Sequence, residues 1–337
     1  MSAKKLLIPS QTGNETAENV MVHYPTLADI QAAAARIKPY AHRTPVLTCT
    51  SLNRLVGAEL WCKCENFQKV GAFKFRGACN AVFSLDEREA QYGVATHSSG
   101  NHAAAVALAA HLRGIKAHIV MPDNASAVKK TAVAGYGGTI VYCAPTLAAR
   151  EATLERVVRA TGATFIHPYN DARVIAGQGT AALELLTDVP DLDVIMAPVG
   201  GGGLLSGTAI ATAALAPAMQ VIAAEPEAAD DAYRSLQEGR IVPALDPRTI
   251  ADGLRTSLGE LTFAIIQRHV QQIVTVSEAA IISAMRHVWE RMKIVIEPSA
   301  AVPIGALLER KIDLTGKHIG VILSGGNVDL DMLPWLS

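Results

Sequence analysis

Four consecutive glycines, Gly200, Gly201, Gly202 and Gly203, follow the apolar run Val194 to Val199 and precede a helical stretch that begins near Leu204. Residues without side chains leave backbone N–H groups free to converge on an anion, and the N-terminus of the following helix adds its dipole. A flexible turn is the other reading, but turns seldom need four glycines, each of which loses conformational entropy on folding. The pattern points to a phosphate. Neither common nucleotide fingerprint is present: no Lys-Ser/Thr follows a GxxxxG frame, and the third glycine of the dinucleotide pattern falls on Leu205 or Ser206. A cofactor with a single phosphate remains.

Lys74 lies in Val-Gly-Ala-Phe-Lys-Phe-Arg-Gly-Ala, between Phe73 and Phe75 at the opening of a helix that continues through Cys79 and Val82. An ammonium in an apolar setting loses solvation and its pKa falls, as Schiff-base chemistry requires. By composition alone, a surface lysine at the start of an amphipathic helix fits the segment equally well. Two further loops offer polar groups where strands should end: His97-Ser98-Ser99-Gly100-Asn101-His102, and Ser324-Gly325-Gly326-Asn327. Each also fits an ordinary capping turn. The stretch Ala224-Glu225-Pro226-Glu227-Ala228-Ala229-Asp230-Asp231 reads as a solvated acidic turn, although two carboxylates and a carbonyl at this spacing also suit an oxygen-rich magnesium or calcium site.

The elements that must position these groups alternate short apolar runs with alanine-rich helical stretches, the pattern of parallel strands with crossover helices. Strand tail 93–96, helix 103–113, strand 116–121, helix 127–134, strand 139–143, helix 146–160 and strand 164–167 form a small unit of about 80 residues. A second series runs through helix 177–186, strand 194–198, helix 205–215, strand 220–225, helices 278–292 and 300–308, and strand 319–323. Ligands of open parallel sheets collect beyond the carboxyl ends of the strands, where these loops fall.

At 337 residues, half of them apolar, 18% charged and with a formal net charge of -1, the chain is too long for one ordinary core and too neutral to coat nucleic acid. Two domains are expected. The five cysteines, Cys49, Cys62, Cys64, Cys79 and Cys143, are odd in number and include no CxxC pair, which argues against a disulfide framework or structural zinc and for a reducing, cytoplasmic setting. Near the start the apolar run is only Leu6 to Pro9, too short for a signal-peptide core, and no uncharged apolar stretch reaches the roughly 18 residues of a membrane span.

Five segments match a known family in order: Lys74 with its neighbours, Ser-Ser-Gly-Asn-His, His-Pro-Tyr-Asn-Asp followed by Val-Ile-Ala-Gly-Gln-Gly-Thr, the tetraglycine, and the terminal Ser-Gly-Gly-Asn. From about Thr26 the chain resembles the fold-type II pyridoxal-phosphate enzymes, and within them serine racemase, the 3-hydroxyaspartate dehydratases and the short threonine dehydratases. The resemblance implies an α/β fold like the tryptophan synthase β subunit, with two open, twisted, mostly parallel sheets. It divides the chain into a flexible segment 1–25, a large cofactor domain 26–85 plus 171–337, and a small mobile domain 86–170 that closes on substrate. A homodimer is implied.

By the same resemblance, Lys74 is the covalent anchor and base, Phe73 packs by the ring, Asn101 bonds the phenolic oxygen, Gly200 to Gly203 hold the phosphate and Ser324 faces the pyridine nitrogen. Ser99 stands on the opposite face as a second acid/base, where many threonine dehydratases have alanine. Ser98, Ser99, Gly100, Asn101 and His102 receive the substrate α-carboxylate, while Arg150 and Tyr169 line the substrate side. Glu225, the carbonyl of Ala229, and Asp231 match the family's divalent-cation ligands (magnesium, calcium or manganese). The implied reaction is α,β-elimination from a 3-hydroxy amino acid, best matched by L-3-hydroxyaspartate. Threonine or serine deamination, racemisation of serine or aspartate, and a silent amino-acid-binding protein are the alternatives. Tyr169 departs from the asparagine of animal racemases. Only Leu336 and Ser337 follow Trp335, so the regulatory domain of long threonine dehydratases, and with it control by isoleucine, is not expected.

Overall fold

The computed structural model describes residues 23–336, so most of the segment 1–25 expected to be flexible lies outside the described residues. Two sheets carry the described chain. The larger has six strands in the order β1-β2-β10-β7-β8-β9: β1 (Val46–Leu47), β2 (Glu59–Cys64), β7 (Val194–Pro198), β8 (Gln220–Pro226), β9 (Gln272–Val276) and β10 (His318–Leu323). The smaller has four in the order β5-β4-β3-β6: β3 (Val94–His97), β4 (Ala117–Pro122), β5 (Thr139–Cys143) and β6 (Thr164–Phe165). Every pairing among these strands is parallel except β1 with β2. The central strand β10 pairs Ile319 with Leu60 on one side and with Val194 on the other.

Thirteen α-helices among the described residues cover these sheets: α1 (Leu27–Ile37), α2 (Thr50–Val56), α3 (Lys74–Phe83), α4 (Glu87–Ala90), α5 (Asn101–Arg113), α6 (Ala127–Gly135), α7 (Leu147–Thr161), α8 (Ala172–Asp188), α9 (Gly203–Leu215), α10 (Asp231–Glu238), α11 (Glu260–His269), α12 (Glu278–His287) and α13 (Pro298–Leu308). Because β7 reads Val-Ile-Met-Ala-Pro and is buried throughout, both of its faces must be covered. One face of the large sheet packs a core that includes Ile281 and Met285 of α12 and Ile304 of α13; the other packs Leu185 of α8, Leu205 of α9 and Ile266 of α11. The small sheet meets α3 and α5 through Phe75, Val106 and Ile119, and α7 through Leu154.

Three of the shifted boundaries have a local cause. Helix α8 starts at Ala172 rather than 177, because Asp171 caps it by accepting from the Arg173 N–H. Strand β6 ends at Phe165 rather than 167, where the chain turns so that His167 Nδ1 accepts from the backbone N–H groups of Tyr169 and Asn170. The helix expected over 278–292 leaves α geometry at Val288 for a π-helical turn, and the left-handed Lys293 (φ 60°) ends it. All five cysteines are free thiols. No helix among the described residues is long and apolar enough to cross a membrane.

Candidate active site

A cavity of about 350 Å³ lies at the carboxyl ends of β3, β7 and β10, within the size range of small-molecule sites. Its lining brings together Phe73, Lys74, the segment from Ser98 to His102, Arg150, Tyr169, Gly200 to Gly203 and Ser324.

Lys74 is held by backbone pairing rather than by a helix cap. Phe73 donates its N–H to the Ser324 carbonyl (3.0 Å), and Ala72 bridges Gly325, so the first turn of α3 is stitched to the end of β10. The Lys74 Nζ donates to the Pro168 carbonyl at 2.9 Å and sits 5.2 Å from the Phe73 ring centroid. Burial pulls its pKa down to about 8, against a smaller opposing pull from the charge of Glu297. About a tenth of the amine is therefore neutral and nucleophilic at pH 7, far more than for an ordinary lysine.

The glycines do two jobs. Gly202 has φ +87° and caps α9, whose first-turn N–H groups lack partners within the helix. A Cβ at Gly201 would stand 2.3 Å from Tyr169 Cδ1, and one at Gly203 would stand 3.0 Å from Tyr169 Cβ, so the loop is also glycine because Tyr169 lies against it. What remains is a shallow cradle of backbone donors at a helix N-terminus, which suits a phosphate monoester.

Gly100 is the converse case: a Cβ there would meet nothing within 4 Å, leaving the backbone of the Ser98 to Asn101 loop open to the cavity. The Asn101 Nδ2 donates to both oxygens of Glu297 at 3.1 Å, and its Oδ1 accepts from Asn327 Nδ2 at 2.9 Å. The imidazole of His102 turns away from the loop, is 2% exposed and has Nε2 3.1 Å from the Ile166 carbonyl, so any contact it makes with a carboxylate is through its backbone. Burial holds its pKa well below the ordinary histidine value.

Arg150 has no carboxylate partner among the described residues. Its charge depresses the pKa of His97, after burial, and opposes the rise that burial imposes on Tyr169. The Tyr169 hydroxyl is 3.1 Å from Thr256 Oγ1, while Asn170 Oδ1 accepts from the Leu261 N–H of α11. Tyr169 thus lines the cavity while packing against the glycine loop, and Asn170 is tied to α11.

His97 and His167, assigned no separate role within their sequence motifs, also line the cavity, as do Thr256, Ser257 and Glu297, which sequence reasoning did not single out. Glu297 is 4% exposed, and burial pushes it up to about 7. His167 is driven down to about 4 by burial and then by the neighbouring His97. Glu297 carried one usable signal, its place before Pro298 at the first turn of α13, where a capping residue belongs.

Glu225 and Asp231 lie outside the cavity lining, at the end of β8 and the start of α10. Glu225 accepts from the N–H groups of Ala232 (3.0 Å) and Tyr233 (2.8 Å), whereas both Asp231 oxygens are buried without a hydrogen-bond partner. Burial raises Glu225 well above the usual carboxylate range and Asp231 to about 7. No cluster of three or more His, Cys, Asp or Glu side chains able to hold a metal occurs among the described residues, so any ion here would rest on two carboxylates plus backbone carbonyl or water oxygen.

A family model described as pyridoxal-phosphate dependent enzyme matches residues 37–325. The chain is 53% identical to a beta-hydroxyaspartate dehydratase of Paracoccus denitrificans over 314 residues, which cover 93% of this chain and all of that protein. A solved serine racemase from Dictyostelium discoideum superposes with a TM-score of 0.87 at 52% identity, covering 91% of this chain and 99% of the other. A solved threonine deaminase from T.th. gives 0.87 at 46% identity, covering 91% and 99%. The matched span contains Lys74, the glycine cradle and Ser324 alike, and the chain belongs to the pyridoxal-phosphate dependent enzymes.

Proposed function

We propose that the protein is an ammonia-lyase that removes water and then ammonia from a 3-hydroxy amino acid, with L-3-hydroxyaspartate as its preferred substrate. The observation that carries the reading is the convergence, in one cavity, of a partly neutral Lys74 amine, an anion cradle at Gly200 to Gly203 and an Arg150 guanidinium without a carboxylate partner among the described residues.

These residues fit pyridoxal phosphate. The cradle would hold the phosphate, Asn101 and Ser324 the ring's polar atoms, Phe73 would pack beside the ring, and Lys74 would tether the aldehyde carbon. When bound, the cofactor supplies an electron sink for the pair released at the substrate Cα. Lys74 takes the α-proton on one face. Backbone N–H groups of the Ser98 to His102 loop hold the α-carboxylate, which orients the Cα–H bond toward Nζ. Arg150 pairs with the distal carboxylate, for which a planar guanidinium is suited. The β-hydroxyl leaves as water with the proton that Lys74 took from Cα, and the released enamine adds water and gives a 2-oxo acid and ammonia.

Ser99 supports a second activity. It lines the cavity with Lys74, and a proton donor on the opposite face of Cα would return a proton there and racemise the substrate. A divalent cation at Glu225, the Ala229 carbonyl and Asp231, a cytoplasmic homodimer, and closure of the unit 86–170 over the cavity complete the reading. The near-equal identities to a hydroxyaspartate dehydratase and a serine racemase do not separate substrates, so kinetics must. The kcat/KM for both L-3-hydroxyaspartate diastereomers should exceed that for L-threonine and L-serine, and Arg150→Ala should remove that preference. If threonine is the best substrate, or if the substitution weakens all substrates equally, the dicarboxylate assignment is wrong.

A further inference from the structure

We infer that Glu297 is a positioning residue that acts on the cofactor through Asn101, fixing which way the amide faces and tying its hydrogen bonding to a proton exchanged at the carboxyl. The inference rests on the reading that pyridoxal phosphate occupies this cavity.

The geometry leaves Asn101 a single orientation. Its Nδ2 faces a carboxylate, with both Glu297 oxygens at 3.1 Å, and its Oδ1 accepts from the Asn327 Nδ2 at 2.9 Å. A flipped amide would set Oδ1 against the carboxylate and one NH₂ against another, losing both interactions. An amide nitrogen carries two hydrogens. One is committed to Glu297; the other remains for the cavity, which Asn101 lines beside Lys74 and Ser324.

Glu297 in turn cannot swing aside. Its N–H donates to the Gly325 carbonyl at 3.0 Å, and a Cβ on Gly325 would already lie 2.7 Å from Oε1. The contact joins α5, beside the small sheet, to the start of α13, beside the large one, so the amide is aimed only when these two elements meet. A carboxylate accepting from Asn101 makes the amide a stronger donor-relay partner than a neutral acid would, since hydrogen bonds to an ionised group are the stronger kind.

Several charged groups face this carboxyl. Lys74 on α3 lies near enough for their charges to couple, Asp252 disfavours its ionisation and Lys129 on α6 favours it, and the Asn327 N–H also donates to it. Burial outweighs the favourable contacts and brings the carboxyl to about 7. Between mildly acidic and mildly alkaline pH it therefore passes from an acid to a carboxylate, and the hydrogen bond that Asn101 can offer changes with it.

The test uses holoenzyme and its absorption spectrum, because the bands of the bound cofactor report where the proton on its phenolic oxygen and ring system sits. In the parent protein the ratio of the bands should change with pH, with a midpoint near 7. In Glu297→Gln that transition should disappear, and kcat should fall about 10- to 100-fold, the range for losing a hydrogen bond to a charged group, while KM moves far less. Asn327→Ala, which frees the other end of the amide but leaves Glu297, should keep the transition. Should Glu297→Gln fail to fold, Asn101→Ala serves instead, since cutting the relay must also abolish the transition. A transition that persists in either folded variant, or that is lost in Asn327→Ala, overturns the inference. If borohydride traps the cofactor on a lysine other than Lys74, the underlying reading fails instead.

Discussion

Two buried groups of acidic and basic side chains are built differently. Behind Lys74, Arg76 is fully buried and meets four carboxylate oxygens: Glu65 from Nε (2.7 Å) and Nη2 (2.9 Å), and Glu184 from Nη1 (2.8 Å) and Nη2 (2.9 Å). Lys63 completes the set, donating to Glu184 at 2.6 Å and to the Thr44 carbonyl at 2.7 Å, while Thr44 donates its hydroxyl to Glu65 at 2.6 Å. Two cations neutralise two anions. At Glu225 and Asp231 two acidic side chains lie together with no cation among the described residues bonded to them, and neither carboxyl oxygen of Asp231 has a hydrogen-bond partner among the described residues. A closed set of charges works as architecture, and here it clamps β2, α3 and α8 together two residues from the reactive amine. An open set demands protons or an ion from outside.

Removing a charge from the closed set should have the largest effect. Arg76→Met leaves the buried Glu65 and the partly buried Glu184 facing a single lysine, and the cost of breaking a buried pair on one side is about 3–5 kcal/mol. Urea unfolding of the holoenzyme should show a loss of that size. A loss under about 1 kcal/mol, the value of an exposed pair, would mean that water reaches the network and that the contrast with the acidic pair is false.

The open set should respond to added metal. Magnesium, calcium or manganese at a hundredfold excess over Kd should stabilise chelated protein by about 2.7 kcal/mol, read as a rise in Tm, and Asp231→Asn should abolish that rise. No change in the parent protein would show that Glu225 and Asp231 meet their burial by holding protons. The ion would then play no part.

Lys74 is a third buried charge, and the effect expected of it is the smallest. Its pKa in the folded state, about 8, lies below the ordinary 10.5. The unfolded chain therefore binds more protons between those values, and apoprotein stability should rise as pH increases through that window. Cofactor uptake needs the neutral amine, so its rate should climb toward a plateau above pH about 8. A rate flat from about pH 6 to about 9 would mean that the amine is already neutral throughout that range.

What was legible in the sequence was local. The four glycines, the Ser98 to Asn101 loop and Lys74 are contiguous signals at strand ends, and the parallel αβ pattern brings such ends to one cavity. Glu297 was not legible because its partner Asn101 lies 196 residues away and only folding brings them together. His97 and His167 were obscured in a similar way, as they flank Phe165 in an aromatic stack that forms only once β3 and β6 pair. The glycine loop was read for its anion, yet half its reason is the packing of Tyr169, a contact no spacing rule reveals. Strands β1, β2 and β9 escaped as well. Glu59–Cys64 holds Lys63 and a tryptophan among apolar residues, and nothing in that run announces that the lysine is neutralised inside.

The central claim is that Lys74 carries the cofactor, and the most direct measurement is to reduce the holoenzyme with borohydride, digest it and locate the pyridoxyl group by mass spectrometry. The account predicts a single adduct on the peptide containing Phe73, Lys74 and Phe75. An adduct on any other lysine, or no adduct in protein that retains the cofactor, would contradict it.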